Sequence, residues 1–146
     1  MPDLLDTRIE NRWLVNPNHA NSLGTAHGGH VMEWMDEVGA MAAMRFAGHT
    51  CVTVAVDGIE FNRPIEVGDV ALIEAYVYAA GRTSVRVRLR AAREDPRSGA
   101  TEATTESYAV YVAIDEDRRP VTVPDLTVSS PEGEDLREAA LAGEDA

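Results

Sequence analysis

Residues 21–47 read NSLGTAHGGHVMEWMDEVGAMAAMRFA, and this stretch decides the fold. It opens as a polar, glycine-containing loop and passes through His27-Gly28-Gly29. From Val31 the apolar residues Val31, Met35, Val38 and Ala42 recur three or four apart, which is the helical period. The spacing predicts one helix from His27 or Gly28 to about Ala47, roughly 28 Å long, stopped by Gly48-His49. Gly39 in its interior weakens it by about 1 kcal/mol relative to Ala. A glycine there implies that something packs very close to the backbone, and strands crossing beneath would do so. Asp36 lies one turn after Met32 and one turn before Ala40, bordering the apolar stripe. A carboxylate in that place is either paired or functional, because burying an unpaired charge is costly.

Outward from the helix, the remaining segments read as strands. Residues 8–15 (RIENRWLV) form a first strand candidate, ended by the turn residues Asn16-Pro17-Asn18. Four more follow the helix in series. Residues 51–61 (CVTVAVDGIEF) place Val52, Val54 and Val56 on one face. Residues 70–80 (VALIEAYVYAA) set Ala71, Ile73, Ala75, Val77 and Ala79 against Leu72, Glu74, Tyr76 and Tyr78. In residues 85–91 Val85, Val87, Leu89 and Ala91 alternate with Arg86, Arg88 and Arg90, which predicts one buried face and one wet face. Residues 102–114 close the set, carrying Tyr108, Val110, Val112 and Ile114. Tight turns are expected at Arg63-Pro64, Val67-Gly68-Asp69 and Ala80-Gly81-Arg82. One strand, one long helix and four mostly antiparallel strands make an α+β domain of about five strands. Wrapping such a curved sheet around one central helix is the hotdog arrangement. We expect residues 1–126 to form this single domain and residues 127–146 an acidic polar tail, with a short helix or a frayed end at 132–142. An exposed edge strand is most simply cured by a second copy, so a dimer is expected, with sites at the interface.

Composition narrows the function. Asp and Glu total 25 against 13 basic residues, every one of them Arg, for a net charge of -12. That balance argues against nucleic acid or an anionic membrane as partner. An acidic, Lys-free surface is similar to that of proteins from salt-loving organisms, and Arg in place of Lys also follows from high-GC coding. No apolar run reaches membrane-spanning length and no secretory segment is visible. The single Cys51 excludes an intrachain disulfide, so a reducing cytoplasm is the expected location.

Four blocks in order now carry a resemblance. These are Asn21-x-x-Gly24-x-x-His27-Gly28-Gly29 with Trp34-Met35-Asp36-Glu37; Val52-Thr53-Val54-Ala55-Val56-Asp57; Phe61-Asn62-Arg63-Pro64-Ile65 with Val67-Gly68-Asp69; and Gly81-Arg82-Thr83-Ser84. Together they resemble the acyl-CoA thioesterases of the cytosolic acyl-CoA hydrolase group, which have the hotdog fold, over roughly residues 11–126. The resemblance implies hydrolysis of acyl-CoA to free acid and coenzyme A without metal or added cofactor, coenzyme A being part of the substrate. It also implies homodimers, often assembled as trimers of dimers. His27 departs from the aromatic residue common in this group; His before Gly-Gly is usual in phenylacetate-type thioesterases, which keeps an aromatic acyl group open. A non-catalytic acyl-CoA sensor is the alternative from another class.

By the same resemblance Asp36 is general base or nucleophile, and it is the only acid in the apolar part of the helix. No Ser or Cys stands at a recognisable spacing from a base. Gly28 and Gly29 fall in the first helical turn, where free N–H groups and the dipole can hold a developing oxyanion. Asn21 is expected to orient water or carbonyl together with Asp36 of another subunit, and it equally suits a plain turn. His27 either polarises the carbonyl or caps the helix. His19, His30 and His49 show no metal-ligand pattern. For coenzyme A phosphates the candidates are Arg63 with Asn62, and Arg82 with Gly81, Thr83 and Ser84. Trp13 and Trp34 read as core or interface residues.

Overall fold

A computed structural model describes residues 2–144; positions 145 and 146 of the expected tail lie outside the described residues. Five strands form one antiparallel sheet in the order β1-β3-β4-β5-β2. They are β1 (Ile9–Leu14), β2 (Thr50–Val56), β3 (Val70–Ala80), β4 (Ser84–Glu94) and β5 (Thr101–Ile114). The long helix α2 (Gly28–Ala47) crosses the concave face, with short α1 (Leu4–Thr7) before β1 and α3 (Pro131–Glu144) last. The expected hotdog is therefore the fold.

Strand alternation determines how α2 sits. Ile73, Val77, Val85, Val87 and Leu89 point to one side and pack with Val31, Met35, Val38, Ala42 and Phe46 of the helix. Between them stand Ala71, Ala75, Ala91, Ala109 and Ala113, small enough to let the helix axis come down onto the strands. The helix ends where the sequence places its stop: Gly48 adopts φ 72° and its N–H donates to the Met44 carbonyl. Gly39 is the closest point of approach. A Cβ built there would overlap the Tyr111 hydroxyl and stand 2.6 Å from Leu89 Cδ2. The interior glycine is the notch into which β4 and β5 press.

Three readings are corrected. β2 stops at Val56 rather than Phe61, because beyond it the regular ladder breaks up. Main-chain bonds persist only from Asp57 N to Tyr108 O and from Asn62 N to Thr104 O, while the Ser107 hydroxyl donates to Asp57 O at 3.1 Å and Thr105 to Glu60 O. Val52, Val54 and Val56 do not share a face. Thr53 pairs with Tyr111 and Ala55 with Val110, so Val54 is an extra residue and the alternation inverts across it. Val52 then lies opposite Val112 and Val56 opposite Ala109, on opposite faces of the sheet. All three valines are exposed along the edge of β2, which has no further strand beside it.

The third correction concerns the arginine face of β4. It is not wet at its centre: Arg88 is only 9 % exposed. Its guanidinium donates to Tyr76 Oη at 3.0 Å and to Glu106 at 2.6 Å. Arg86 meets Glu144 of α3 at 2.7 Å, and Arg90 and Arg8 both meet Glu74. α3 covers this side, with Tyr76 Oη donating to Leu136 O at 2.8 Å and Tyr78 bonded to Glu144. Leu4, Tyr76, Tyr78, Tyr108 and Ala140 form a second apolar cluster there. The first residues close the same face: Leu4 N donates to Thr127 O, and Asp3 accepts from the Ser129 main chain and hydroxyl.

The packing at Gly39 gives a prediction with an unusual sign. Gly→Ala inside a helix normally stabilises by about 1 kcal/mol, but overpacking a filled core costs about 1–3 kcal/mol. Gly39→Ala should therefore lower the thermal midpoint, measured by calorimetry. A raised midpoint would show that the notch is not filled.

Candidate active site

Asp36 sits in the middle of α2, half-buried, above the paired residues Thr53 of β2 and Tyr111 of β5. Its Oδ1 accepts from the Thr53 hydroxyl at 2.7 Å and from Tyr111 Oη at 3.1 Å. Tyr111 Oη also lies 3.1 Å from the Asp36 main-chain carbonyl. No hydrogen bond reaches Oδ2 among the described residues. One carboxylate oxygen is thus fixed and the other free, which is the arrangement a base needs to hold a water. Burial pushes the Tyr111 phenol well above its ordinary pKa, and the Asp36 charge pushes it further, so the phenol stays protonated.

Gly28 and Gly29 open α2, and their N–H groups have no acceptor among the described residues. The Phe61 ring lies 3.4 Å from a Cβ built on Gly28, and His27 Nε2 lies 3.2 Å from one on Gly29. His27 occupies the N-cap position, yet its side chain makes no capping bond, which removes the capping role considered from sequence. Its imidazole rests instead beside the open amides. Asn21 closes its own loop: Oδ1 accepts from Leu23 N at 2.9 Å and Thr25 N at 3.2 Å. A cavity of about 300 Å³ joins Asn21, Gly28, Val31, Phe61 and Arg63.

Asp36 is absent from that cavity. It stands eight residues after Gly28, about 12 Å along the helix axis. A single chain therefore brings Asn21, the glycines and Arg63 together and leaves Asp36 apart, beside the unpaired edge of β2. The coenzyme A candidates are also divided. Arg63 pairs with Glu102 at 3.2 Å near the start of β5, whereas Thr83 O accepts from Ala113 N near its end. Eleven residues of strand span about 36 Å, so the two turns cannot grip one ligand from the same chain. Asn62 donates its N–H to Thr104 O, beside Arg63. Gly81 N donates to Ser84 O, and Ser84 Oγ fills the place of a Gly81 side chain at 2.6 Å. Arg82 has no ion pair among the described residues. A larger cavity of about 790 Å³ lies on the outer face among Asp57, Glu60, Glu106 and Glu144 and reaches Asn62, but neither Arg63 nor the Gly81–Ser84 turn lines it.

The other candidates fall into structural places. Trp13 stacks on Trp34 at 5.2 Å, His19 meets the same indole edge-on at 5.1 Å, and His30 stacks on it at 6.0 Å. No cluster of metal-ligating side chains occurs among the described residues, and no helix is long and apolar enough to cross a membrane. Cys51 is buried, which pushes its thiol up to about 11.

Comparison with known proteins decides the family. Residues 23–100, more than half of the chain, match the model of the thioesterase superfamily. The chain belongs to the thioesterase superfamily. Among its members, the acyl-CoA thioester hydrolase YciA of Salmonella typhimurium is 35% identical over 116 residues, 77% of this chain and 87% of that protein. A solved hexameric acyl-CoA thioesterase superposes with a TM-score of 0.88 at 33% identity, covering 99% of this chain and 94% of its own. An acyl-CoA hydrolase from Staphylococcus aureus, solved with butyryl coenzyme A and coenzyme A, gives 0.87 at 27% identity over 96% and 85%. That thioesterase has also been solved with an asparagine, an aspartate or a threonine replaced by alanine. Those three positions are separated by fifteen and seventeen residues, the spacings of Asn21, Asp36 and Thr53 here. Thr53 was missing from the candidates read in the sequence. The available signal was a lone hydroxyl on the helix-facing side of a valine-rich strand, two residues after Cys51.

The buried thiol yields a second prediction. A raised pKa means less thiolate at any pH below it, so native Cys51 at pH 8 should alkylate about a hundredfold more slowly than a free cysteine. Full reactivity should return in denaturant. Rapid labelling of the native protein, read by mass spectrometry, would place the thiol in solvent.

Proposed function

We propose that this protein hydrolyses acyl-CoA thioesters to free acid and coenzyme A. The carrying observation is the Asp36 carboxylate, anchored through Oδ1 by two hydroxyls with Oδ2 open. Oδ2 takes a proton from a water as the water oxygen bonds to the thioester carbonyl carbon. Negative charge moves to the carbonyl oxygen, which the Gly28 and Gly29 amides receive, with His27 beside them. Collapse of that intermediate breaks the C–S bond, and the proton held by Asp36 goes to the departing thiolate. Direct attack by the carboxylate, with water cleaving the resulting anhydride, uses the same groups. Thr53 supports the carboxylate from β2.

The separation of these groups within one chain favours a shared site. A second copy laid along the open edge of β2 would cover Val52 and Val54 and present its own Asn21 and Gly28-Gly29 to Asp36. The same pairing would let Arg63 with Asn62 serve one end of coenzyme A and Gly81-Arg82-Thr83-Ser84 of the other copy serve the rest. The Arg63–Glu102 pair is exposed and worth little, so a phosphate can replace Glu102. A homodimer, gathered as a trimer of dimers, fits the hexameric neighbour. The reaction requires no resident cofactor, and the reduced lone cysteine suits a cytoplasmic setting.

Release of coenzyme A thiol from straight-chain and phenylacetyl thioesters tests this reading and separates the aliphatic from the aromatic alternative. Asp36→Asn should lower kcat by about 10²–10⁴-fold with the oligomer intact by light scattering. Turnover at the wild-type rate would move the base elsewhere, and no turnover of any thioester by the unmodified protein would favour a sensor.

A further inference from the structure

The two hydroxyls on Asp36 are unequal. Thr53 lies on an exposed edge strand, where water competes for its hydrogen bond. Tyr111 is fully buried, its ring set in the core between α2, β4 and β5. The phenol reaches Asp36 only because Gly39 has no side chain, since a Cβ there would occupy the position of the hydroxyl. From this geometry we infer that Tyr111, admitted by Gly39, is the positioning residue that aims the Asp36 carboxylate. The inference rests on the hydrolase reading above.

Two acceptors stand at equal distance from Tyr111 Oη: Asp36 Oδ1 and the Asp36 main-chain oxygen, each at 3.1 Å. A phenol has one proton to give. With the carboxylate ionised, Oδ1 is the stronger acceptor and takes it. Once Asp36 has accepted a proton during turnover, the phenol can swing to the main-chain oxygen. Neither protonation state then leaves a buried hydroxyl unsatisfied, which would cost about 1–3 kcal/mol. The raised phenol pKa, caused by burial and then by the Asp36 charge, keeps Tyr111 a donor throughout the working pH range. A carboxylate on a helix otherwise turns about two side-chain torsions. Tying Oδ1 to a point fixed in the core holds Oδ2 in one direction.

The test uses the full-length protein and coenzyme A release from butyryl-CoA, with kcat and KM determined separately. Tyr111→Phe removes only the hydroxyl and keeps the ring that fills the core. It should lower kcat about tenfold, the value of one hydrogen bond to a charged group, with KM within about twofold and the thermal midpoint close to wild type. In an Asp36→Asn background the same change should lower the residual rate no further. Full kcat in Tyr111→Phe, with Asp36→Asn inactive, overturns this inference and leaves the hydrolase reading in place. Wild-type kcat in Asp36→Asn overturns both. A rate loss that follows a fallen thermal midpoint, or an equal loss in the Asp36→Asn background, assigns Tyr111 a role in the core alone.

Discussion

The depth at which α2 rests on the sheet governs this molecule. Alanines on β3, β4 and β5 lower the strands beneath it, and the notch at Gly39 lets Leu89 and Tyr111 rise into the helix. A side chain at that point would lift α2 away from β5 and draw Asp36 off both of its hydroxyl donors. Packing and the proposed chemistry therefore share one constraint, since the contact that closes the core also carries a hydrogen bond to the carboxylate. Protein interiors tolerate little change at such a contact, because they are packed as densely as crystals.

The opposite side of the sheet is built on charge. Arg86, Arg88 and Arg90 are matched with Glu144, Glu106 and Glu74, and Arg8 completes the set. Arg88 itself is largely buried while its partner Glu106 reaches solvent, and a lone cation there would be costly where a paired one is tolerated. Counting the exposed pairs elsewhere as well, eight of the thirteen arginines are engaged in ion pairs among the described residues. Few cations remain at the surface of a chain with net charge -12, which makes Arg82 stand out beside the turn after β3.

Features set by local spacing were legible in the sequence. The limits of α2, its stop at Gly48, the close approach at Gly39 and the placing of Asp36 beside the apolar stripe all follow from helical period and glycine chemistry. The buried side of β4 followed from strict alternation. What escaped depends on partners distant in the chain. β2 ends where hydroxyls of Thr105 and Ser107, some fifty residues later, take over its carbonyls, and the extra residue Val54 leaves no mark in a run of valines. Arg88 reads as wet until α3 is known to lie over it. Arg63 and Arg82 look like one binding set because each sits in a turn. Only the antiparallel path of β5 shows them at opposite ends. Thr53 passed unnoticed for a related reason, as its meaning comes from α2 above it.

The seam between the first and last described segments has a bearing on how the chain acquires its shape. Leu4 and Asp3 bond to Thr127 and Ser129, and β1 must wait for β3 to be made before it finds a neighbour. Contacts of such long sequence separation form late and slowly. During vectorial synthesis the N-terminal strand therefore emerges without its mate. The outer surface of the sheet closes only after residues 127–129 have left the ribosome, so that side is assembled after all five strands have been made.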